Sequence, residues 1–347
     1  MNDVYNYCED ALSRAHGEVV GQGAIRRSPA DFRVEEILGF DPDGEGDHWL
    51  LWVEKSNANT HWIAQQLSQA AGVHPRDVGH AGLKDRRAVT RQWFSVPARP
   101  DDEPQSWPLE DARILTAARH RRKLRIGTLK GNRFSLVIRD VQASPEELDK
   151  RLARIASLGV PNYFGPQRFG REGDNVARLL KGRLPRRGNL RGILLSAGRS
   201  WLFNQLLGER VTSGQWDRVL AGDMMMLDGS RSHFSVEAPD AELQERCREA
   251  DIHPSGPLWG RGPSPAGGDV AVMENRLADA HPALLERLDQ GRLDHDRRSL
   301  RLRVKDLIWT HKDDSLHLSF SLPAGAFATS MLRELINYRE EGEQDHD

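Results

Sequence analysis

Gly79-His80-Ala81-Gly82-Leu83-Lys84-Asp85-Arg86-Arg87-Ala88-Val89-Thr90-Arg91-Gln92-Trp93-Phe94 is the stretch on which the reading of this chain turns. It runs from a loop into an expected strand. One carboxylate, Asp85, stands among Lys84, Arg86, Arg87 and Arg91. Nearby positive charge favours the ionised form of an acid, so Asp85 is expected to be charged at neutral pH. It would also face whatever polyanion those bases attract. The plain alternative is a solvated turn with a structural aspartate, the commoner fate of a short motif. The rest of the chain decides between them.

Of the 347 residues, 38% are hydrophobic and 29% charged, a globular profile whose length predicts two domains. No apolar run is long enough for a membrane span. Met1–Asp10 lacks the basic and apolar regions of a secretory signal. Cys8 and Cys247 form no C-x-x-C, which leaves a disulfide framework or zinc knuckle unsupported and suggests a reducing, cytoplasmic setting. The net charge of −2 is neutral on nucleic acid. Its distribution says more. Bases bunch at Arg119–Arg125 and at Arg178–Arg191, which includes Lys181, Arg183, Arg186 and Arg187. Acids bunch at Asp41–Asp47, Asp101–Glu103 and Glu340–Asp347. Each run is either a solvated face or part of a polyanion footprint.

Outward from the opening stretch, alternation predicts strands at Phe32–Ile37, Trp49–Lys55 and Arg91–Pro97. Thr60 reads as the N-cap of a helix through Ile63, Leu67 and Ala70 that ends at Gly72. Gly131-Asn132 reads as the turn of a hairpin, with Leu124 and Ile126 on one arm and Phe134, Leu136 and Ile138 on the other. Ser144-Pro145-Glu146-Glu147 opens a helix buried through Leu148, Leu152 and Ile155. Gly159–Gly170 carries three large aromatics, Tyr163, Phe164 and Phe169, for a packed corner or a stacking surface, with packing favoured. A helix follows over Ile193–Ser213. Leu300–Val304 and Leu316–Leu322 alternate as strands, and a closing helix runs through Leu332, Leu335 and Ile336. The strands before 140 and after 300 are alike in style. The more helical block between them reads as inserted.

No P-loop occurs, and Gly21-Gln22-Gly23 lacks the third glycine of a dinucleotide loop. His233, His253, His295, His311 and His317 have no partner at metal-ligand spacing. There is no G-x-S-x-G, and Ser200 is poorly placed for a nucleophile elbow. No cofactor, metal or hydrolase triad is therefore expected. Asp85, the basic runs and aromatics near loops remain.

Ala81-Gly82-Leu83-Lys84-Asp85-Arg86 with Thr90 and Gln92 resembles the catalytic signature of the TruD family of tRNA pseudouridine synthases. Further blocks resemble the family in the family's order: Pro29–Glu36, Gly131–Phe134, Gly159–Gly170, Ser196–Asn204 and Gly325–Thr329. The resemblance implies an α+β pseudouridine-synthase fold, a mixed, mainly antiparallel sheet with flanking helices, interrupted by an inserted family-specific α/β domain. It implies a discontinuous catalytic domain, 1–157 with 304–347, around the insert 158–303. The implied reaction converts uridine to pseudouridine at position 13 of tRNA, in the D-arm region, by base flipping and without cofactor. Asp85 is the implied catalytic carboxylate. Arg26, Phe32, Asn132, Phe134 and Phe327 are the implied substrate-binding residues. Arg26 stands where the family commonly has lysine, and the two are not interchangeable. A cytoplasmic monomer without an obligatory protein partner is expected. An RNA-binding protein that has lost its chemistry and a different RNA-modifying enzyme, such as a methyltransferase, are the rival readings. The intact Asp85 motif speaks against the first and the missing cofactor loop against the second.

Overall fold

The computed structural model describes residues 5–181 and 184–341. In chain order the first half carries β1 (Gln22–Ile25), β2 (Phe32–Ile37), β3 (His48–Ser56), α1 (Thr60–Ala70), β4 (Gly79–His80), β5 (Val89–Pro97), β6 (Ala112–His120), β7 (Gly131–Gln142) and α2 (Pro145–Leu158). Next come β8 (Val160–Pro161), α3 (Asn175–Lys181), α4 (Asn189–Thr212), β9 (Met224–Leu227), β10 (His233–Ser235), α5 (Ala241–Arg248) and β11 (Ile252–Leu258). The remainder is α6 (Gly268–Ala280), α7 (Pro282–Gly291), β12 (Asp296–Ser299), β13 (Arg301–Leu302), β14 (Lys305–Lys312), β15 (Ser315–Pro323), α8 (Ala328–Leu335) and β16 (Asn337–Glu340). Two compact units divide the chain. One comprises Val20–Leu148, Val304–Gly325 and Ile336–Asp347, and the other Met1–Val19, Asp149–Arg303 and Ala326–Leu335.

The first unit is built on a 10-stranded sheet with the order β14-β15-β7-β2-β5-β3-β6, to which β1, β16 and β4 are added. It is mixed and mainly antiparallel; β2 with β5 and β1 with β16 are its parallel pairs. Residues directly opposite on neighbouring strands share a face. The register therefore puts Glu36, Asn132 and Leu322 on one face, next to Val34, Phe134 and Phe320. Thr90 lies opposite both Val34 and Lys55, which carries the same face across to β3. The alternation in β15 does what it predicts: Leu316, Leu318, Phe320 and Leu322 are all buried. Leu51, Val53, Phe94 and Val96 pack with Ile63, Ala64 and Leu67 of α1. Each such burial is worth about 1.5–3 kcal/mol.

The second unit is organised on α4, whose Leu194, Leu195, Trp201, Leu202, Phe203, Leu206 and Leu207 are buried. Tyr163, Phe164 and Phe169 join the same cluster, so the Gly159–Gly170 block is a packed corner. A four-stranded sheet, β10-β9-β11-β12, and the pair β13-β8 complete it.

Several expectations need correction. The N-cap of α1 is Asn59, whose side chain accepts from Trp62 N at 2.8 Å; Thr60 is the first helical residue. The hairpin around Gly131-Asn132 does not form. Leu124 is buried and Ile126 is 80% exposed in the loop before β7, and the preceding strand is β6, which pairs with β3. Gly131 opens β7 instead of turning. A Cβ there would stand 2.4 Å from the Leu322 carbonyl oxygen, so glycine serves the close approach of β15. The strand expected over Leu300–Val304 contracts to β13. Strand β11 runs through Pro254 and Pro257, and β14 and β16 carry no clear alternation. Arg183 and the tail beyond Glu341 lie outside the described residues. Gly131→Ala is expected to destabilise the protein by roughly 1–3 kcal/mol through overpacking, read as a lowered urea midpoint; an unchanged midpoint would show that β15 yields freely.

Candidate active site

The loop Gly82–Asp85 is fixed by buried side chains from elsewhere in the first unit. Gln92 Nε2 donates to the Gly82 carbonyl at 3.2 Å, and Lys84 N donates to Thr60 Oγ1 at 3.0 Å. Thr60 Oγ1 in turn donates to Gln92 Oε1 at 2.9 Å, which locks the two clamps together. Lys55 Nζ donates to the Asp85 carbonyl at 2.9 Å and to the Ala58 carbonyl at 2.7 Å. A fourth hold is an ion pair. Lys84 Nζ lies 2.9 Å from Glu36 Oε1, with both side chains at most 5% exposed. The pairing of β2 with β5 stops at Glu35–Arg91, and the Glu36 carboxylate then accepts from Trp93 N at 2.9 Å. That carboxylate stands in for a missing strand partner.

These bonds leave the Asp85 side chain outside the clamp, 42% exposed. Its partner is Arg26, whose Nη2 donates to Asp85 Oδ2 at 2.9 Å. Arg26 Nη1 donates to the Arg87 carbonyl at 3.1 Å, and Nε lies 3.6 Å from Glu340 Oε1. The guanidinium carbon is 3.7 Å from the centre of the Phe32 ring, a cation–π contact. Arg26 uses its planar fork for two directed hydrogen bonds and lays its flat face on the Phe32 ring, a combination a lysine ammonium could not reproduce. Its backbone is left-handed, with φ of +60°. A non-glycine residue held there is strained by about 1–3 kcal/mol, and such strain clusters at functional sites.

Of the bases next to Asp85 in sequence, Lys84, Arg86 and Arg91 bond to groups other than its carboxylate. Lys84 turns inward to Glu36. Arg91 bridges Glu35 at 2.6 Å and Glu54 at 2.8 Å. Burial would raise the Glu54 acid, but the Arg91 and Arg113 hydrogen bonds outweigh it and hold it low. Arg86 Nε donates to the Asn57 carbonyl at 3.2 Å.

Arg26, Phe32, Asp85, Asn132 and Phe134 all belong to this unit, and strand register sets Phe32, Asn132 and Phe134 on one sheet face. Phe32 and Phe134 are buried, 6.3 Å apart edge to face, and Phe134 stacks on Phe320 at 5.3 Å. Arg26 covers the Phe32 ring. Asn132 is a strand residue whose Oδ1 is buried without a hydrogen-bond partner, an unsatisfied acceptor beside the site. Phe327 belongs to the other unit, where it packs half-buried against the apolar core. Among the described residues no cluster could hold a metal ion, and no helix is long and apolar enough to cross a membrane.

Comparison with known proteins bears on what this arrangement serves. The sequence profile of the family tRNA pseudouridine synthase D (TruD) matches residues 16–180 and 182–335. The chain belongs to the TruD family. This is an enzyme family of tRNA pseudouridine synthases, which are isomerases. The tRNA pseudouridine synthase D of Methylococcus capsulatus is 47% identical over 343 residues, covering 96% of each chain. That of Nitrosococcus oceani is 49% identical over 326 residues, covering 91% of each. A crystal structure assigned as a TruD from Methanosarcina mazei shares the fold, with a TM-score of 0.73 and 21% identity, over 93% of this chain and 95% of that one.

The sequence reading missed Lys55 as a site residue. The signal was available: Lys55 sits on the inward parity of Leu51 and Val53, a charge where the pattern asks for an apolar residue. Burial pushes its ammonium down to about 8, partly countered by the Asp85 charge. The folded-state value lies below the unfolded one of about 10.4. The unfolded chain thus binds more protons between about 8 and 10, and Lys55's contribution to stability rises with pH across that window. Lys55→Met removes the donor from two carbonyls, each costing about 1–3 kcal/mol if left unpaired. It is expected to lower the urea midpoint, abolish this rise and reduce kcat more than KM. Wild-type kcat in Lys55→Met would remove Lys55 from the positioning of Asp85.

Proposed function

We propose that the chain isomerises uridine to pseudouridine at position 13 of tRNA, with Asp85 as the acting carboxylate and no cofactor. One observation carries the reading. A carboxylate is presented to solvent from a loop whose backbone is pinned by Lys55, Thr60 and Gln92, with Arg26 setting its orientation. Preorganisation of that kind suits a reaction whose demand is placement rather than redox or metal chemistry. The C1′–N1 bond breaks, the uracil turns, and C1′ bonds to C5. C5 loses its proton and N1 gains one, so the product is an isomer of the substrate.

The target base must leave its stack, and a flipped base is held by hydrogen bonds along its edge and by aromatic or apolar contacts. The vacant Asn132 Oδ1 suits the uracil N3–H. Phe32 and Phe134 share the sheet face of Asn132, with Arg26 over Phe32. Phe327 is assigned to base contact on family resemblance alone. The residues 1–157 and 304–347 are proposed as the catalytic part and 158–303 as the inserted domain, in a cytoplasmic monomer. Arg121, Arg122, Lys123 and Arg125 in one basic run, and Lys181, Arg186 and Arg187 in the other, are exposed. They are proposed to meet phosphates, so binding should weaken steeply with salt.

Tritium release from tRNA labelled at uracil C5 tests the reading. The parent is expected to release it, and Asp85→Asn to bind tRNA without release. Turnover by Asp85→Asn would take the chemistry away from Asp85. A parent that binds tRNA without release would be an RNA-binding protein on a synthase scaffold.

A further inference from the structure

Two large apolar side chains stand in solvent beside Asp85, although the backbone that carries each is held fast. Leu83 is 65% exposed. The peptide groups on both sides of it are pinned: the Gly82 carbonyl accepts from Gln92, and Lys84 N donates to Thr60. From Leu83 to Asp85 the chain runs without a turn, and the Lys84 side chain goes inward to Glu36. Its neighbours Leu83 and Asp85 are both left on the outer side of the loop, as their exposure shows. Two residues span at most about 7 Å of backbone.

Ile126 reaches solvent from the neighbouring segment. The Arg125 carbonyl accepts from Thr128 N at 3.2 Å, which closes a turn with Ile126 and Gly127 at its corners. Gly127 has φ of +90°, the positive value that favours glycine at the third position of a type II turn. Its N donates to the Ala81 carbonyl at 2.8 Å, which ties the turn to the start of the Asp85 loop. Leu124 and Leu129 join the apolar cluster around Ala81. The segment thus hides two of its three apolar side chains and presents the third at the tip. Such corners ordinarily carry proline or polar residues. Single apolar residues on a surface need no explanation. These two differ in standing on clamped, hydrogen-bonded segments, with Lys123 and Arg125 exposed alongside. Bases that attract phosphates and apolar tips that shun water are set side by side, the pairing a nucleic acid presents in its backbone and its bases.

A uridine turned out of its stack leaves a gap of one base step, about 3.4 Å per nucleotide. Proteins that part a base step do so with apolar wedges, leucine and isoleucine among them. We propose that Leu83, backed by Ile126, is the wedge that fills the place vacated by the target uridine, while Asn132 takes the extruded base. The inference rests on the isomerase reading and deepens it by naming the residue that holds the stack open. With the sugar of the extruded nucleotide at Asp85, the gap lies within about two base steps of Leu83. A leucine whose flanking peptides are already fixed enters it without further ordering of the loop. The alternative use of Leu83 is local, as a support for the conformation of Asp85.

The test compares tritium release from two full-length tRNA transcripts labelled at uracil C5. One is intact, and the other has abasic residues on both sides of the target uridine, so that there is no stack to hold open. Leu83→Ala is expected to lower kcat/KM about 10- to 100-fold on the intact transcript and less than about threefold on the abasic one. Leu83→Met should restore most of the loss, and Ile126→Ala should show a smaller loss with the same pattern. Melting midpoints should match the parent's, since both side chains stand in solvent. An equal loss on both transcripts overturns the proposal and makes Leu83 a support for Asp85. Parent-like release by Leu83→Ala from the intact transcript also overturns it. A second readout separates the wedge from the isomerase reading: the fluorescence of 2-aminopurine placed next to the target uridine, followed as the parent and Leu83→Ala bind. A rise with the parent that Leu83→Ala does not give retains the wedge, even where the parent releases no tritium and the isomerase reading fails. The same signal from both proteins overturns the wedge, even where the parent does release tritium.

Discussion

The ion pair between Lys84 and Glu36 is the constraint on which the site depends. Both groups are withdrawn from water, so removal of either would strand a charge, at a cost of about 3–5 kcal/mol. Glu36 also completes the edge of the strand pairing by accepting from Trp93 N. One carboxylate thus ties the loop to the sheet and closes a gap in it. With Lys84 held inward, the next residue along, Asp85, is left at the surface of the loop. The acid that faces solvent and the base that does not are consecutive, and their opposite fates follow from the partner waiting for each.

Around that pair the sheet divides the work. Strand β3 supplies Lys55, β5 supplies Gln92, and the first turn of α1 supplies Thr60. Each holds a different backbone atom of the same four-residue loop. The residue beyond β1, Arg26, holds the carboxylate itself. Backbone clamps fix where the loop lies, and the guanidinium fixes how the acid points. The strain at Arg26 is placed where three contacts over-determine the conformation.

Much of the sheet was legible because its strands bury one face, and burial imposes a period of two on Phe32–Ile37 and Leu316–Leu322. Strand β6 was not, since Ala112–His120 alternates weakly and is mostly half-exposed. Gly131-Asn132 misled because glycine before asparagine is turn chemistry in a local window. Its real cause, the passage of β15, comes from nearly two hundred residues later in the chain. The site followed the same rule. Asp85 could be found because its signature is contiguous. The identity of its partner could not, since the sequence neighbours Lys84 and Arg91 are the natural candidates and both are taken by acids on β2 and β3. Arg26 entered through family resemblance, and Lys55 through neither route.

Strand β1, which aims Arg26, has β16 as its parallel neighbour, and the flanking Arg27–Glu341 bond joins residues 314 positions apart. Contacts of that span form late, because loop closure precedes their reward. During synthesis the loop with Asp85 emerges from the ribosome well before the strand that steadies its partner. A nascent chain therefore carries both Asp85 and Arg26 before β16 is present to flank β1. The strand that flanks Arg26 thus makes the setting of the Arg26–Asp85 pair a property of the whole sheet rather than of its own neighbourhood in sequence.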